Sequence, residues 1–209
     1  MDEDRRPGFA TRAIHRAKTP PVDQETPSVP IYQTATFRFE DSEAYAETIN
    51  FRRPGYTYTR GYGNPTLLAF ETVMADLEGT QAAFSFASGM AAIHTVVTAL
   101  ARNGDRVVTS RELYGGAYSL FGEVLPRYGI EVTFVDPHDL EAVADSLPGA
   151  AMFYVETIAN PNVTVADLET LGARCREAGV PAVVDNTFAS PALCTPARFG
   201  FDFVLHSAT

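Results

Sequence analysis

Basic residues and cysteines are scarce in this sequence. Sixteen lysines and arginines stand against 26 acidic residues, a formal net charge of -10 over 209 residues. A surface so poor in positive charge disfavours nucleic acid and anionic membrane as partners, because both are held by basic groups. The two cysteines, Cys175 and Cys194, have no metal-ligand spacing, so no metal site is expected, and two thiols are expected rather than a disulfide. No apolar run approaches a membrane span. The opening residues MDEDRRPGFATRAIHRAK lack the apolar segment of a signal peptide, which predicts a cytoplasmic location. What remains is an ordinary globular composition, 45% hydrophobic and 20% charged, in a chain long enough to bury a core.

Residues 1–64 show little periodicity. They carry Pro7, Pro20, Pro21, Pro27, Pro30 and Pro54 and the stretch TRGYGNP, and read as an extended arm with one short helix near Ser42 to Ile49. An arm with no core of its own must lie on something, this chain or a neighbouring subunit. From Pro65 onward, residues 65–209 read as an α/β domain. Pro65 suits a first helical turn, and Leu68, Val73, Met74 and Leu77 recur at helical spacing until Gly79.

Strands are predicted over 82–87, 106–109, 130–135, 151–155, 182–184 and 203–205. Helices are predicted over 90–102, 117–128, 139–146 and 165–178. The strands are continuous apolar runs, as expected of strands covered on both faces. Their alternation with helices predicts a mostly parallel sheet between helices.

Ligands of parallel α/β sheets sit beyond the carboxyl ends of the strands, so the residues after each strand are the candidates. Ser88-Gly89-Met90 feeds a helix N-terminus, which suits a phosphate; it also suits a plain tight turn. Asp185 ends a buried strand, where an acid must be paired. It fits a heteroaromatic nitrogen or a turn. Tyr114, followed by Gly115 and Gly116, can lie on a ligand's face or in the core. Asn160, before Pro161, offers a donor and an acceptor, or shapes a turn. Tyr58 and Arg60 in the arm form a possible second phosphate clamp, or an ordinary surface pair. No Walker A or GxGxxG pattern is present.

Singly these signals are weak; their order is specific. The stretches YTRGYGNPT, FASGMAAI, ELYGGAY, ETIANPN, VVDNTFASP and VLHSAT resemble the Cys/Met-metabolism family of pyridoxal-phosphate enzymes. This family includes methionine and cystathionine γ-lyases, cystathionine γ-synthase and O-acylhomoserine sulfhydrylases. The resemblance covers nearly the whole chain and implies a type I aminotransferase-like large domain. It implies pyridoxal 5'-phosphate as cofactor, with the Schiff-base lysine following Thr209 at once.

By the same resemblance, Gly89 and Met90 bind the phosphate through their backbone, and Ser207 and Thr209 add hydroxyls. Tyr114 stacks on the ring and manages a proton at the leaving group. Asp185 pairs with the pyridine nitrogen, and Asn160 lies near the phenolic oxygen and the substrate. Tyr58 and Arg60 reach a neighbouring subunit's phosphate, which implies a dimer completing each site and a homotetramer overall. Two departures stand out. Three residues, Gly61, Tyr62 and Gly63, separate Arg60 from Asn-Pro-Thr, where the family usually has two. Gly116 stands where methionine γ-lyases typically have cysteine.

The implied activity is elimination at the γ-carbon of methionine or cystathionine, giving a 2-keto acid, ammonia and a thiol, within methionine and cysteine metabolism and transsulfuration. The alternative is γ-replacement, as in a sulfhydrylase or cystathionine γ-synthase. A product ending at Thr209 would instead be a non-catalytic binding module.

Overall fold

The computed structural model describes residues 29–209. They divide into two compact units, 29–66 and 67–209. In the first, helix α1 (Ser42–Ile49) starts where the Asp41 carboxylate accepts the Ala44 N–H at 2.8 Å, one of the four amide groups that a helix start leaves unpaired. A one-turn helix, α2 (Thr59–Tyr62), follows. Asn64, almost fully buried, knits the unit together. Its amide donates to the Tyr32 carbonyl (2.9 Å) and Thr59 Oγ1 (3.2 Å), and its Oδ1 accepts the Thr66 N–H (2.8 Å). Helix α3 (Pro65–Glu78) then opens on its proline, as anticipated.

The second unit holds α4 (Gly89–Leu100), β1 (Arg106–Ser110), α5 (Gly115–Ser119), β2 (Glu131–Val135), α6 (Leu140–Ser146), β3 (Met152–Glu156), α7 (Leu168–Ala178), β4 (Ala182–Asp185), α8 (Ser190–Leu193) and β5 (Phe203–Leu205). The five strands form one sheet in the order β2-β1-β3-β4-β5, and every pairing is parallel. Side chains alternate between two cores. Val107, Met152, Tyr154 and Val183 pack with Ile93, Val97, Phe121 and Leu125 on one face. Val108, Phe153, Val155 and Val184 pack with Val143, Leu147, Leu171 and Cys175 on the other. Both faces being covered explains why the strands read as unbroken apolar runs. Each fully buried aliphatic or aromatic side chain contributes about 1.5–3 kcal/mol.

Three expected elements differ. Residues 82–87 form no ladder. The Ser85 N–H and hydroxyl both donate to the Glu71 carboxylate (2.8 and 2.7 Å), and Phe84 is 78% exposed. The expected helix 117–128 begins at Gly115 and changes to a π-type turn over Leu120–Val124 and a 3-10 turn over Leu125–Tyr128. Pro126 has no N–H to continue an α-helical ladder. The helix expected from Val165 starts at Leu168. Asp167 caps it through the Thr170 N–H, while Val165 is held extended by a bridge to Ile158.

The carboxyl ends of three strands converge on one buried carboxylate. Glu78, the last residue of α3, is 3% exposed. Its Oε1 accepts from Asn186 Nδ2 (2.8 Å) and lies 2.5 Å from His206 Nε2. Asn186, just past β4, also accepts the Thr157 hydroxyl beyond β3 (2.8 Å) and donates to the Cys194 carbonyl (2.9 Å). Replacing Glu78 with alanine strands two buried donors, so Glu78→Ala is expected to cost about 2–4 kcal/mol. Glu78→Gln, which retains one acceptor oxygen, should cost less. Urea unfolding of the full protein measures both; a loss below about 0.5 kcal/mol for Glu78→Ala would show that the network carries little of the stability.

Candidate active site at the carboxyl rim of the sheet

The rim is assembled from the residues that leave each strand. Past β5, the backbone of Ser207 runs against Gly89 at the start of α4. A Cβ on Gly89 would stand 2.9 Å from the Ser207 Cβ and 3.3 Å from its Cα, so only glycine permits this approach. The Ser88 hydroxyl caps α4 through the Ala91 N–H at 3.1 Å. That leaves the Gly89 and Met90 amides, in the first turn, without an acceptor within the helix. Ser207 Oγ and Thr209 Oγ1 lie 2.8 Å apart beside them. Two first-turn amides, a helix dipole and two hydroxyls make a cradle for a phosphate.

A hydrogen-bonded chain leads from this cradle to Asp185. The Ser207 N–H donates to Thr187 Oγ1 (2.8 Å), and the Thr187 N–H donates to Asp185 Oδ1 (2.9 Å). On the other oxygen, Asp185 Oδ2 lies 3.5 Å from the hydroxyl of Tyr154. Tyr154 is fully buried. Burial, then the charges of Asp185 and Glu156, push its phenol well above the ordinary tyrosine range, so it remains a donor. A contact of 3.5 Å leaves Oδ2 free to accept a stronger bond from a ligand N–H.

Tyr114 and Asn160 meet through Glu156, whose role the sequence does not announce. Glu156 ends β3, is 6% exposed, and is the register partner of Asp185 in β4. Its Oε1 accepts the Tyr114 N–H at 2.6 Å and its Oε2 accepts the Asn160 N–H at 3.1 Å. Burial raises its carboxyl from the ordinary 4.5 to about 7, with the Asp185 charge adding to the rise and the two N–H bonds opposing it. A second carboxylate spans the same loops. Glu112 accepts from Asn162 Nδ2 (2.9 Å) and from the Thr164 hydroxyl, and both bonds hold its carboxyl below the ordinary range.

The Tyr114 ring is half exposed and lies over Gly116. A Cβ at 116 would stand 2.6 Å from a ring carbon of Tyr114 and 3.0 Å from the sulfur of Met90. Gly89, Met90, Tyr114, Asn160, Asp185, Ser207 and Thr209 are thus joined by contacts along one rim. Tyr58 and Arg60 belong to the other unit, where the Arg60 guanidinium carbon stands 5.7 Å from the Tyr58 ring centroid. Glu156, Tyr154, Glu78 and His206 escaped the sequence reading. An acid at a strand end, the signal that marked Asp185, applies equally to Glu156. Among the described residues no cluster of three or more His, Cys, Asp or Glu could hold a metal ion.

Residues 10–209 match the family model described as Cys/Met metabolism PLP-dependent enzyme. The chain is 40% identical over 209 residues to an L-methionine gamma-lyase of Fusobacterium nucleatum subsp. nucleatum, covering 99% of this chain and 52% of that protein. It is 42% identical over 206 residues to a homocysteine/cysteine synthase of Kluyveromyces lactis, covering 96% and 46%. The chain therefore spans about half the length of the curated relatives it matches. The cystathionine gamma-lyase of Lactobacillus plantarum, solved with L-serine, superposes with a TM-score of 0.76 at 38% identity, over 86% of this chain and 44% of that one. A Campylobacter jejuni protein assigned as O-acetylhomoserine (thiol)-lyase, carrying N'-pyridoxyl-lysine-5'-monophosphate, gives 0.79 at 32% identity over the same shares.

The raised carboxyl of Glu156 has a defined sign. Its folded value, about 7, lies above the ordinary 4.5. The stability it contributes is complete below pH 4.5 and is lost as pH rises through 7. The stability difference between the native protein and Glu156→Gln, whose side chain does not titrate, should therefore shift against the native protein from pH 5 to pH 8. Urea unfolding at both values measures it, and a difference independent of pH would place the Glu156 carboxyl at its ordinary value.

Proposed function

Because the chain belongs to the Cys/Met metabolism family of pyridoxal-phosphate-dependent enzymes, we propose that the protein carrying it eliminates the γ-substituent of a sulfur amino acid, methionine or cystathionine. The products are a 2-keto acid, ammonia and a thiol. The observation that carries this reading is the single rim on which an amide-and-hydroxyl cradle, a strand-end acid and an exposed tyrosine ring are bonded together. The residues fit the cofactor. Gly89, Met90, Ser207 and Thr209 would hold its phosphate, Asp185 its pyridine nitrogen, and Tyr114 its ring face. Bound there, pyridoxal phosphate supplies an electron sink for negative charge at the substrate Cα. Asp185 keeps a proton on the pyridine nitrogen through a charge-assisted hydrogen bond. The Tyr114 hydroxyl delivers a proton to the departing group. Asn160 orients the substrate from the neighbouring loop.

A second reading, γ-replacement, is favoured by the 42% identity to a homocysteine/cysteine synthase and by Gly116. A cysteine at 116 would force the Tyr114 ring aside, given the 2.6 Å approach of a Cβ. The reading extends to location and assembly. Among the described residues no helix is long and apolar enough to cross a membrane, and we place the enzyme in the cytoplasm. The arm expected over residues 1–64, whose first 28 lie outside the described residues, brings Tyr58 and Arg60 to the phosphate of a neighbouring subunit, in a dimer that pairs into a tetramer.

The full protein, loaded with pyridoxal phosphate, should release 2-keto acid from methionine or cystathionine faster than it consumes O-acylhomoserine with sulfide. The reverse ranking selects replacement, and neither activity overturns both. Asp185→Asn should lower turnover by about 30- to 1,000-fold at full cofactor occupancy, the equivalent of roughly 2–4 kcal/mol. Unchanged turnover would remove Asp185 from the chemistry. Mixed Arg60→Ala and Asp185→Asn subunits, verified as hybrids by native mass spectrometry, should recover activity that neither variant has alone. No recovery would mean that Arg60 serves its own chain.

A further inference from the structure

We propose that Glu156 is the positioning residue of the rim, setting the Tyr114 ring and the Asn160 side chain in register with Asp185 through one carboxylate shared by two loops. The inference rests on the reading of Tyr114 and Asn160 given above, and deepens it.

The geometry is specific. Tyr114 and Asn160 lie on loops that follow different strands, β1 and β3, and each offers its backbone N–H to a separate oxygen of the same carboxylate. The side chain of Glu156 is fixed in turn. It is buried, and its Cα is paired with that of Asp185 across β3 and β4. Residues two apart on a strand share a face, so Glu156 projects on the side of Tyr154 and Asp185 on the side of Val183. Tyr154 and Val183 pack in the same core. One rigid ladder therefore carries both the acid expected at the pyridine nitrogen and the carboxylate that places the loops around it.

Stabilising the fold does not account for this acid. A carboxylate here is desolvated and lies beside a second carboxylate, two costs that an apolar residue would avoid. Neither is a glutamine equivalent. Ionised, as it is above about pH 7, the carboxylate presents acceptors on both sides, whereas an amide presents one acceptor and one donor at any pH. With glutamine, the NH2 group must face one of the two backbone N–H groups, and one loop is released. Alanine releases both. Glu112 links the outer parts of the same loops through Asn162 and Thr164, so release at Glu156 loosens the Tyr114 and Asn160 backbones without detaching the loops.

The test combines amide hydrogen exchange on the cofactor-free full protein with visible circular dichroism and kinetics on the loaded protein, for Glu156→Gln and Glu156→Ala. Glu156→Gln keeps the volume and serves if the alanine variant fails to fold. Exchange in the peptide containing Tyr114 or in that containing Asn160 should rise about 10- to 100-fold in Glu156→Gln, and in both peptides for Glu156→Ala. The cofactor band should weaken in circular dichroism, and kcat should fall more than KM changes, with occupancy maintained. Unchanged exchange in both variants overturns the carboxylate clamp whatever the protein binds. Faster exchange with an unaltered cofactor band and kcat overturns the positioning role. A native protein that binds no pyridoxal phosphate would instead overturn the function proposed above, with the exchange result still deciding the clamp.

Discussion

A carboxylate with no water around it must find donors, and Glu78 finds them on the far side of the domain in sequence. Its partner His206 lies 128 positions away and Asn186 lies 108 away. Three segments that exit the sheet, after β3, β4 and β5, are drawn to one point through Thr157, Asn186 and His206. Everything built on the rim inherits this constraint. Ser207 follows His206 directly, Thr187 follows Asn186, and the two are bonded to each other. The α4 start with its neighbouring hydroxyls and the strand-end acid are thus located by a contact that neither of them makes. In so dry a site each satisfied bond is strengthened and each unsatisfied atom is costly. Glu78 Oε2 has no protein partner in the described structure.

Charge is distributed unevenly over this surface. Asp185 and Glu156 sit side by side at the ends of adjacent strands, and burial together with the Asp185 charge raises the cost of ionising Glu156. Glu156 absorbs that cost by remaining partly protonated near neutrality, while Asp185 has a backbone N–H on one oxygen and the buried Tyr154 hydroxyl facing the other. One short chain of bonds away, through Thr187 and Ser207, α4 presents its positive terminus. An anionic group at α4 and a cationic ring nitrogen at Asp185 would each meet the complementary sign.

Much of the scaffold was legible because its causes are local. Both-face burial makes apolar runs of β1, β3 and β4, Asp41 caps the short helix expected at Ser42, and Gly179 ends α7 in a left-handed conformation. The failures are instructive in the same terms. Residues 82–87 read as a strand because they form a short apolar run, but a strand needs a neighbour, and the Ser85 amide is taken by Glu71. Pro126 within 117–128 was a visible signal that the apolar spacing obscured. The strand-end rule reached Tyr114, Asn160 and Asp185 because each lies at a strand's carboxyl end or within four residues of it. Glu78 and Tyr154 have roles set by partners 31 to 128 positions away, which nothing near them in sequence marks; Glu156 carried the strand-end signal, but one of its two partners, Tyr114, lies 42 positions away.

All five strands run in one direction, so their exits share an edge and their ladders lie behind it. Substitutions in the exit loops leave those ladders intact. A lineage can therefore exchange one chemistry for another without passing through an unfolded ancestor.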